Sequence, residues 1–291
     1  AMPAGNTCGL PPPPAYSEDP TSAFYAEAME VYTTTKALTP DQNLIARFWS
    51  DDPMLSSTPP GHWIYVANDL ITRRQMPLAV SVDVMARLGI AMADAFIGCW
   101  HEKTEYNLLR PVTYINRVID PAWKPLLNTP PFPEYPSGHS TVSAAAATVL
   151  TAALGDGYAY EDFTHEREGL DGRAYASFWD AADEAGISRL YGGIHFRAAI
   201  EQGLAQGRCI AAHTVALGTL AAFVLTRITH FKGRTLFGGL VTAPLVMPEV
   251  ITGLSLLLLF VAMAQMIGWP MERGIVTIWI AHTTFCAAYV A

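Results

Sequence analysis

From Ser22 to about residue 213 the apolar residues recur at three- and four-residue spacing and never alternate over the length of a strand, which restricts this part of the chain to an all-α fold, a helical bundle. The punctuation places the helices. Apolar positions suit a helix from Ser22 to Leu38. Thr39-Pro40-Asp41-Gln42 then supplies a capping threonine and a proline at the first turn, ahead of Ile45, Phe48 and Trp49. Pro59-Pro60-Gly61 breaks the chain before a helix carrying Trp63, Val66 and Leu70. From Pro77 to about Glu105 the pattern is apolar on most sides, as expected of a central bundle helix. An alanine-rich helix follows Pro136-Ser137-Gly138-His139 and stops at Leu154-Gly155. Beyond a polar stretch from Asp156 to Asp171, another helix runs into the Gly192-Gly193 bend. The first 21 residues, with Pro11 to Pro14, read as an extended surface arm.

Charge divides the chain. Residues 1–213 hold 14 Lys+Arg against 24 Asp+Glu, a net −10, whereas residues 214–291 hold 4 against 2, a net +2. The acidic first part argues against a nucleic-acid backbone as partner. Past Val215 the composition turns apolar: Leu217 to Thr226 is a short apolar run, Arg227 to Arg234 a basic loop, and Val250 to Gly268 is uncharged over a membrane-spanning length. Gly274 to Ala291 is a third uncharged stretch. A C-terminal transmembrane helical segment is expected over residues 214–291, its basic loop cytoplasmic and the preceding domain outside. Ala1 to Gly5 shows no basic region followed by an apolar one, so no export signal is expected in this sequence, and the start at alanine points to lost upstream residues. Cys8, Cys99, Cys209 and Cys286 are scattered without paired spacing and read as buried thiols.

Three blocks carry chemistry. Lys103 and Arg110 stand at the end of the long helical pattern, in Trp100-His101-Glu102-Lys103 and Leu109-Arg110-Pro111. Pro136-Ser137-Gly138-His139 is a glycine turn at a helix start, where unpaired N–H groups and the helix dipole favour an anion. Arg189 and His195 flank the Gly-Gly bend. Taken singly, each has an ordinary structural explanation: a solvated helix end, a capped helix start, a surface ion pair, a core histidine. Together they supply three cations, the Ser137 and Gly138 donors and two histidines, a set suited to a tetrahedral oxyanion. One histidine would bond the central atom and the other exchange a proton with an apical oxygen.

Lys103-x6-Arg110-Pro111, Pro136-Ser137-Gly138-His139 and Ser188-Arg189-x5-His195 together resemble the tripartite signature of the vanadium-dependent haloperoxidase and type 2 phosphatidic acid phosphatase superfamily, over most of residues 20–213. The resemblance implies a helical bundle of the haloperoxidase/acid phosphatase type over residues 22–213. It implies that Lys103, Arg110, Ser137, Gly138 and Arg189 hold vanadate or phosphate, that His139 is the acid–base residue, and that His195 bonds vanadium or attacks phosphorus. In a haloperoxidase the cofactor would be vanadate, the substrates hydrogen peroxide and a halide, and Lys103 would polarise the peroxide. In a phosphatase there would be no cofactor, and the substrate would be a phosphate ester. Trp100 and Phe132 fall where fungal chloroperoxidases of this type place aromatics near the halide; core packing is the competing explanation. The chain departs from the pattern at Ala199, four residues after His195, where the family has an aspartate that orients the imidazole. Glu201 or a backbone carbonyl is the expected substitute. That departure weighs more against a phosphatase and leaves a non-catalytic oxyanion-binding domain as a third possibility.

Residues 243–255, Ala-Pro-Leu-Val-Met-Pro-Glu-Val-Ile-Thr-Gly-Leu-Ser, resemble an inner-membrane permease subunit of putrescine/spermidine ABC transporters, with similarity from about Gly218 to Ala291. Only a middle piece of such a permease is covered, so transport by this chain is not expected. The resemblance implies a bacterial inner-membrane location for the chain as written, an exported or periplasmic enzyme domain, and a junction of two unrelated gene fragments near residues 213–218.

Overall fold

The computed structural model describes residues 8–52 and 56–228, with 232, 233 and 235 besides. Two compact units are present, Met2–Ala216 and Leu217–Ala291 with Ala1. In chain order the described helices are α1 (Ala23–Lys36), α2 (Pro40–Phe48), α3 (Pro59–Arg73), α4 (Leu78–Tyr106), α5 (Pro111–Val118), α6 (Gly138–Leu154), α7 (Phe178–Tyr191) and α8 (Arg197–Arg227). Between α6 and α7 lie two short strands, β1 (Tyr160–Asp162) and β2 (Arg173–Tyr175), paired antiparallel with Tyr160 opposite Tyr175. The all-helical expectation holds for the unit as a class: it is mostly helical, with one small pair of strands added. Three residues per strand are too few to display an alternating pattern.

Side-chain caps mark the starts of α1, α2, α6 and α7. Thr39 and Gln42 form a reciprocal capping box at α2, and Ser22, Ser137 and Ser177 each accept a backbone N–H at α1, α6 and α7. The bundle is built around α6 rather than α4. Ala144 to Ala147 are fully buried, and α4 and α7 pack directly on α6. The first turn of α4 leaves Leu78 80% exposed, with Val80 and Val82 also at the surface. Small side chains are what allow α6 its central place: helices approach closely only where no bulky side chain separates them. On α8 the same device is sharper. A Cβ at Gly207 would stand 2.0 Å from the Thr141 carbonyl oxygen, and one at Gly203 would stand 2.8 Å from that of Ser137.

One apolar cluster joins Phe48, Trp49, Trp63, Leu88, Leu150 and Phe178, and a second joins Phe24, Tyr114, Trp123, Phe196 and Ile200. Each such side chain contributes roughly 1.5–3 kcal/mol on burial. The site blocks lie at the ends of these packed helices, which fixes their positions.

The described part of the proline-rich arm, from residue 8, has no helix or strand and is tied down. Tyr106, Tyr135 and Tyr114 donate their hydroxyls to the carbonyls of Leu10, Pro11 and Ser17, and Cys8 is disulfide-bonded to Cys209 on α8. This corrects the expectation of buried thiols for Cys8 and Cys209: partners 201 residues apart leave no local spacing to read. Cys99 is a buried free cysteine, and Cys286 lies outside the described residues. Closing so long a loop restricts the unfolded chain, so reduction, or Cys8→Ser, should lower stability by roughly 2–5 kcal/mol. Thermal unfolding with and without reductant checks this, and an unchanged midpoint would count against the cross-link.

Candidate active site

Lys103 sits in the last turn of α4 and is almost fully buried. Its ammonium donates to three carbonyls of the segment leading to α6: Pro133 at 2.8 Å, Glu134 at 2.9 Å and Pro136. Burial pushes it down to about 8. Arg110 caps α5; its Nε donates to the Phe132 carbonyl and its Nη1 to the Ile194 carbonyl, while Nη2 is buried without a hydrogen-bond partner. Arg189, at the end of α7, donates through Nη2 to the Trp49 carbonyl and through Nε to Ser188 Oγ. Burial lowers both arginines to about 10.

Ser137 and Gly138 open α6. Ser137 Oγ accepts from the Ser140 N–H and hydroxyl, leaving its own proton to donate, and the space a Gly138 Cβ would enter is open to 4 Å. The amide of Gly138 stands at a helix N-terminus, where backbone N–H groups have no intrahelical acceptor.

His195 follows the Gly192-Gly193 bend. Its Nδ1 is 2.8 Å from Glu134 Oε1, and its Nε2 is 3.0 Å from Arg110 Nη1. A guanidinium only donates, so Nε2 is the lone-pair nitrogen and Nδ1 carries the proton it donates to Glu134. Burial, then the charges of Arg110, Lys103 and Arg189, hold His195 well below the usual histidine range, so the ring is neutral and Nε2 keeps a lone pair, which faces Arg110 Nη1. Glu134 Oε1 also accepts the Phe196 N–H at 2.8 Å, fixing both the carboxylate and the start of α8. Burial pushes the Glu134 carboxyl up to about 8.

Neither expected substitute for the missing aspartate is the one used. Glu201 is exposed, and Glu134, reaching in from the Pro133–Tyr135 segment, takes the position. Ala199 and Glu134 line one narrow crevice, roofed by Pro13 and Pro14, with no room for a water. A short residue at 199 leaves the space that the longer carboxylate fills. One signal in the sequence was the presence of a carboxylate in an otherwise apolar, proline-rich lead-in directly before the glycine turn.

His139, in the first turn of α6, is the candidate acid–base group and keeps 16% of its side chain exposed. Its Nε2 is 3.4 Å from Arg189 Nη1 and 3.3 Å from Asp51 Oδ2. Burial and the Arg189 charge lower it to about 4 against the pull of Asp51, so it is neutral and able to accept a proton. Trp100 and Phe132 meet edge to face at 4.8 Å, both more than a third exposed, with Lys103 Nζ 5.6 and 5.4 Å from their rings. Neither is a core side chain; they form an apolar, cation-backed rim.

Residues 83–121 and 117–220 match the family model of the VCPO second helical-bundle domain. A bacterial vanadium-dependent iodoperoxidase of known structure is 46% identical, with a TM-score of 0.70, over 74% of this chain and 54% of its own. The helical unit has the vanadium-haloperoxidase fold. A holo-type bacterial vanadium-dependent chloroperoxidase shares that fold at 19% identity and a TM-score of 0.58, covering 68% of this chain and 48% of its own. This chain therefore spans about half the length of the haloperoxidases it resembles. A different match covers 83 residues, 28% of the chain, at 63% identity to the putrescine transport system permease protein PotI of Escherichia coli strain K12, of which it represents 30%. The haloperoxidase resemblance and the permease resemblance are both present, as expected from the sequence.

Proposed function

We propose that the helical unit is a vanadate-dependent haloperoxidase that oxidises a halide with hydrogen peroxide. The observation that carries this is the state of His195: a neutral imidazole with Nδ1 donating to Glu134 and an Nε2 lone pair pointed among Arg110, Lys103 and Arg189. Vanadate fits the residues present. Arg110 Nη2 is a buried donor without a partner, Gly138 offers its amide at the start of α6, and three buried cations repel one another unless an anion lies between them. Arg110, Arg189, Ser137, Gly138 and Lys103 would hold it, with His195 Nε2 as its protein bond. Bound vanadate would supply Lewis-acid activation of peroxide toward a halide.

The chain's own residues do the rest. His139 takes and returns the peroxide proton, its neutral ring suiting it as a base. Lys103, tied to three carbonyls, fixes the segment that carries Ser137 and lends positive charge to the site. Trp100 and Phe132 border the approach of the halide, and iodide is proposed first because the relative at 46% identity is an iodoperoxidase. An oxidising compartment is supported by the Cys8–Cys209 disulfide, in keeping with an exported domain.

The test assays the full chain for iodide and bromide oxidation by peroxide, with and without added vanadate, beside hydrolysis of a phosphate monoester. Vanadate-dependent oxidation that vanishes in His195→Ala is expected. Phosphate ester hydrolysis without oxidation would overturn the proposal in favour of a phosphatase acting through a phosphohistidine.

For residues 214–291 the reading is a permease fragment, supported by the 63% identity to PotI. The expected transmembrane segment does not have support in the structure: among the described residues no helix is long and apolar enough to cross a membrane, and residues 250–268 and 274–291 lie outside them. Two gene fragments joined near 213–218 by a fusion would amplify from source DNA as one continuous product, whereas a junction made by an assembly error would not.

A further inference from the structure

Behind His139 lies a buried group of side chains that the proposed reaction does not use. Asp51 follows α2 with a left-handed backbone, φ 49°, a conformation that costs a non-glycine residue about 1 kcal/mol or more and persists only when its surroundings enforce it. Its Oδ1 is 2.8 Å from His62 Nδ1 and 3.2 Å from His165 Nε2, and its Oδ2 faces His139 Nε2. His62, on α3, places its other nitrogen 2.7 Å from Asp162 Oδ2 at the end of β1. Asp162 is fixed in turn by the N–H and hydroxyl of Thr164, and the His62 ring stacks on Trp49 at 4.2 Å. Asp51, His62, Asp162 and His165 are all nearly inaccessible.

Two carboxylates on one imidazole can both be satisfied only if both ring nitrogens carry protons, because an ionised carboxylate has nothing to donate. Burial opposes the charged ring, yet Asp51 and Asp162 outweigh it and raise His62 to about 10. Asp51 is desolvated too, but the His62 charge and the nearby His139 and His165 rings hold it well below the usual carboxylate range. The donor atoms of Asp51, His62 and His165 lie close enough to suggest a metal, but both His62 nitrogens already serve carboxylates. Asp51 Oδ2 is the one oxygen of the two aspartates buried without a hydrogen-bond partner, its 3.3 Å approach to His139 Nε2 being poorly aligned.

We propose that His62 is a positioning residue for His139: held as an imidazolium between Asp162 and Asp51, it keeps Asp51 a carboxylate facing His139 Nε2. His139 then retains its proton on Nε2 and exchanges protons at the oxyanion through Nδ1. Arg189 Nη1, 3.4 Å from the same nitrogen, competes for it as a donor; the unpartnered Asp51 oxygen favours a proton on Nε2. This rests on His139 as the acid–base group of the proposed haloperoxidase. The charged or titratable groups around His139 are Asp51, Arg189 and His195, with His62, His165 and Asp162 beyond Asp51 and Glu168 beyond His165.

The test is long-range proton–nitrogen NMR of the full chain labelled in histidine nitrogen, followed from about pH 4 to about pH 8. The parent should show His139 with its proton on Nε2 and His62 doubly protonated throughout. His62→Phe, which keeps the stacked ring, and His62→Gln, which keeps one donor, both remove the positive charge that holds Asp51 as a carboxylate. In each, His139 should no longer keep its proton on Nε2, that nitrogen then accepting from Arg189 Nη1. A proton on Nδ1 of His139 in the parent, or a proton that stays on Nε2 in both folded variants, overturns the proposal. The parent spectrum decides the tautomer without any variant. None of these readouts requires turnover, so absence of halide oxidation would count against the haloperoxidase reading alone.

Discussion

Glu134→Ala is expected to lower vanadate-dependent halide oxidation by about 10- to 100-fold, the usual effect of removing the partner that orients a ligating histidine. The cause is local. Glu134 Oε1 receives the His195 Nδ1 proton and the Phe196 N–H, so its loss frees the ring to rotate and allows the proton to move to Nε2, where it would block the lone pair. Glu134→Gln keeps an oxygen in the same place and should stay close to the parent. Ala199 borders the same crevice, so Ala199→Asp combined with Glu134→Ala should recover part of the loss. Steady-state rates against vanadate concentration for the four proteins check this. An alanine variant that matches the parent would show that His195 needs no carboxylate.

Gly207→Ala is expected to be the most damaging single methyl group in the helical unit. Its Cβ would stand 2.0 Å from the Thr141 carbonyl oxygen and 3.0 Å from Ala144 Cβ, so either α8 or α6 must move. The obstacle is backbone, which cannot swing aside as a flexible side chain can. Overpacking of this kind costs about 3 kcal/mol, at the upper end of its range. For a unit of this size that is a fall of about 10 °C in Tm, read by thermal unfolding. Gly138→Ala offers the contrast: with nothing within 4 Å of its Cβ it should leave Tm unchanged, while a methyl beside the amide proposed to hold vanadate should weaken vanadate binding. Equal Tm values for Gly207→Ala and the parent would mean that α6 and α8 are not in the close contact described.

The helices were legible in the sequence because each depends on near neighbours: the Thr39–Gln42 capping box, the serine caps and the 3.6-residue apolar spacing are local events. The three site blocks were legible for a similar reason, since cations, glycine and histidine in that order and spacing serve few other chemistries. What escaped is non-local. Glu134 is a lone acid in a proline-rich segment until folding seats it against His195. Asp51 and His62 come from either side of a helix start, while Asp162 and His165 are buried members of a stretch that reads only as polar. The Cys8–Cys209 bond joins the two ends of the helical unit, beyond the reach of spacing rules. The central place of α6 was missed because the length and all-round apolar pattern of α4 drew the reading, whereas close packing depends on the small alanines of α6 and the glycines that face them.

The most direct measurement of the central claim is calorimetric titration of vanadate into the full chain and into His195→Ala. A neutral His195 with an unprotonated Nε2, among three buried cations, predicts saturable binding at one site in the parent and loss of most of that affinity in the variant. Binding that survives unchanged without His195, or none in a folded parent, would contradict the assignment of this cluster as a vanadate site.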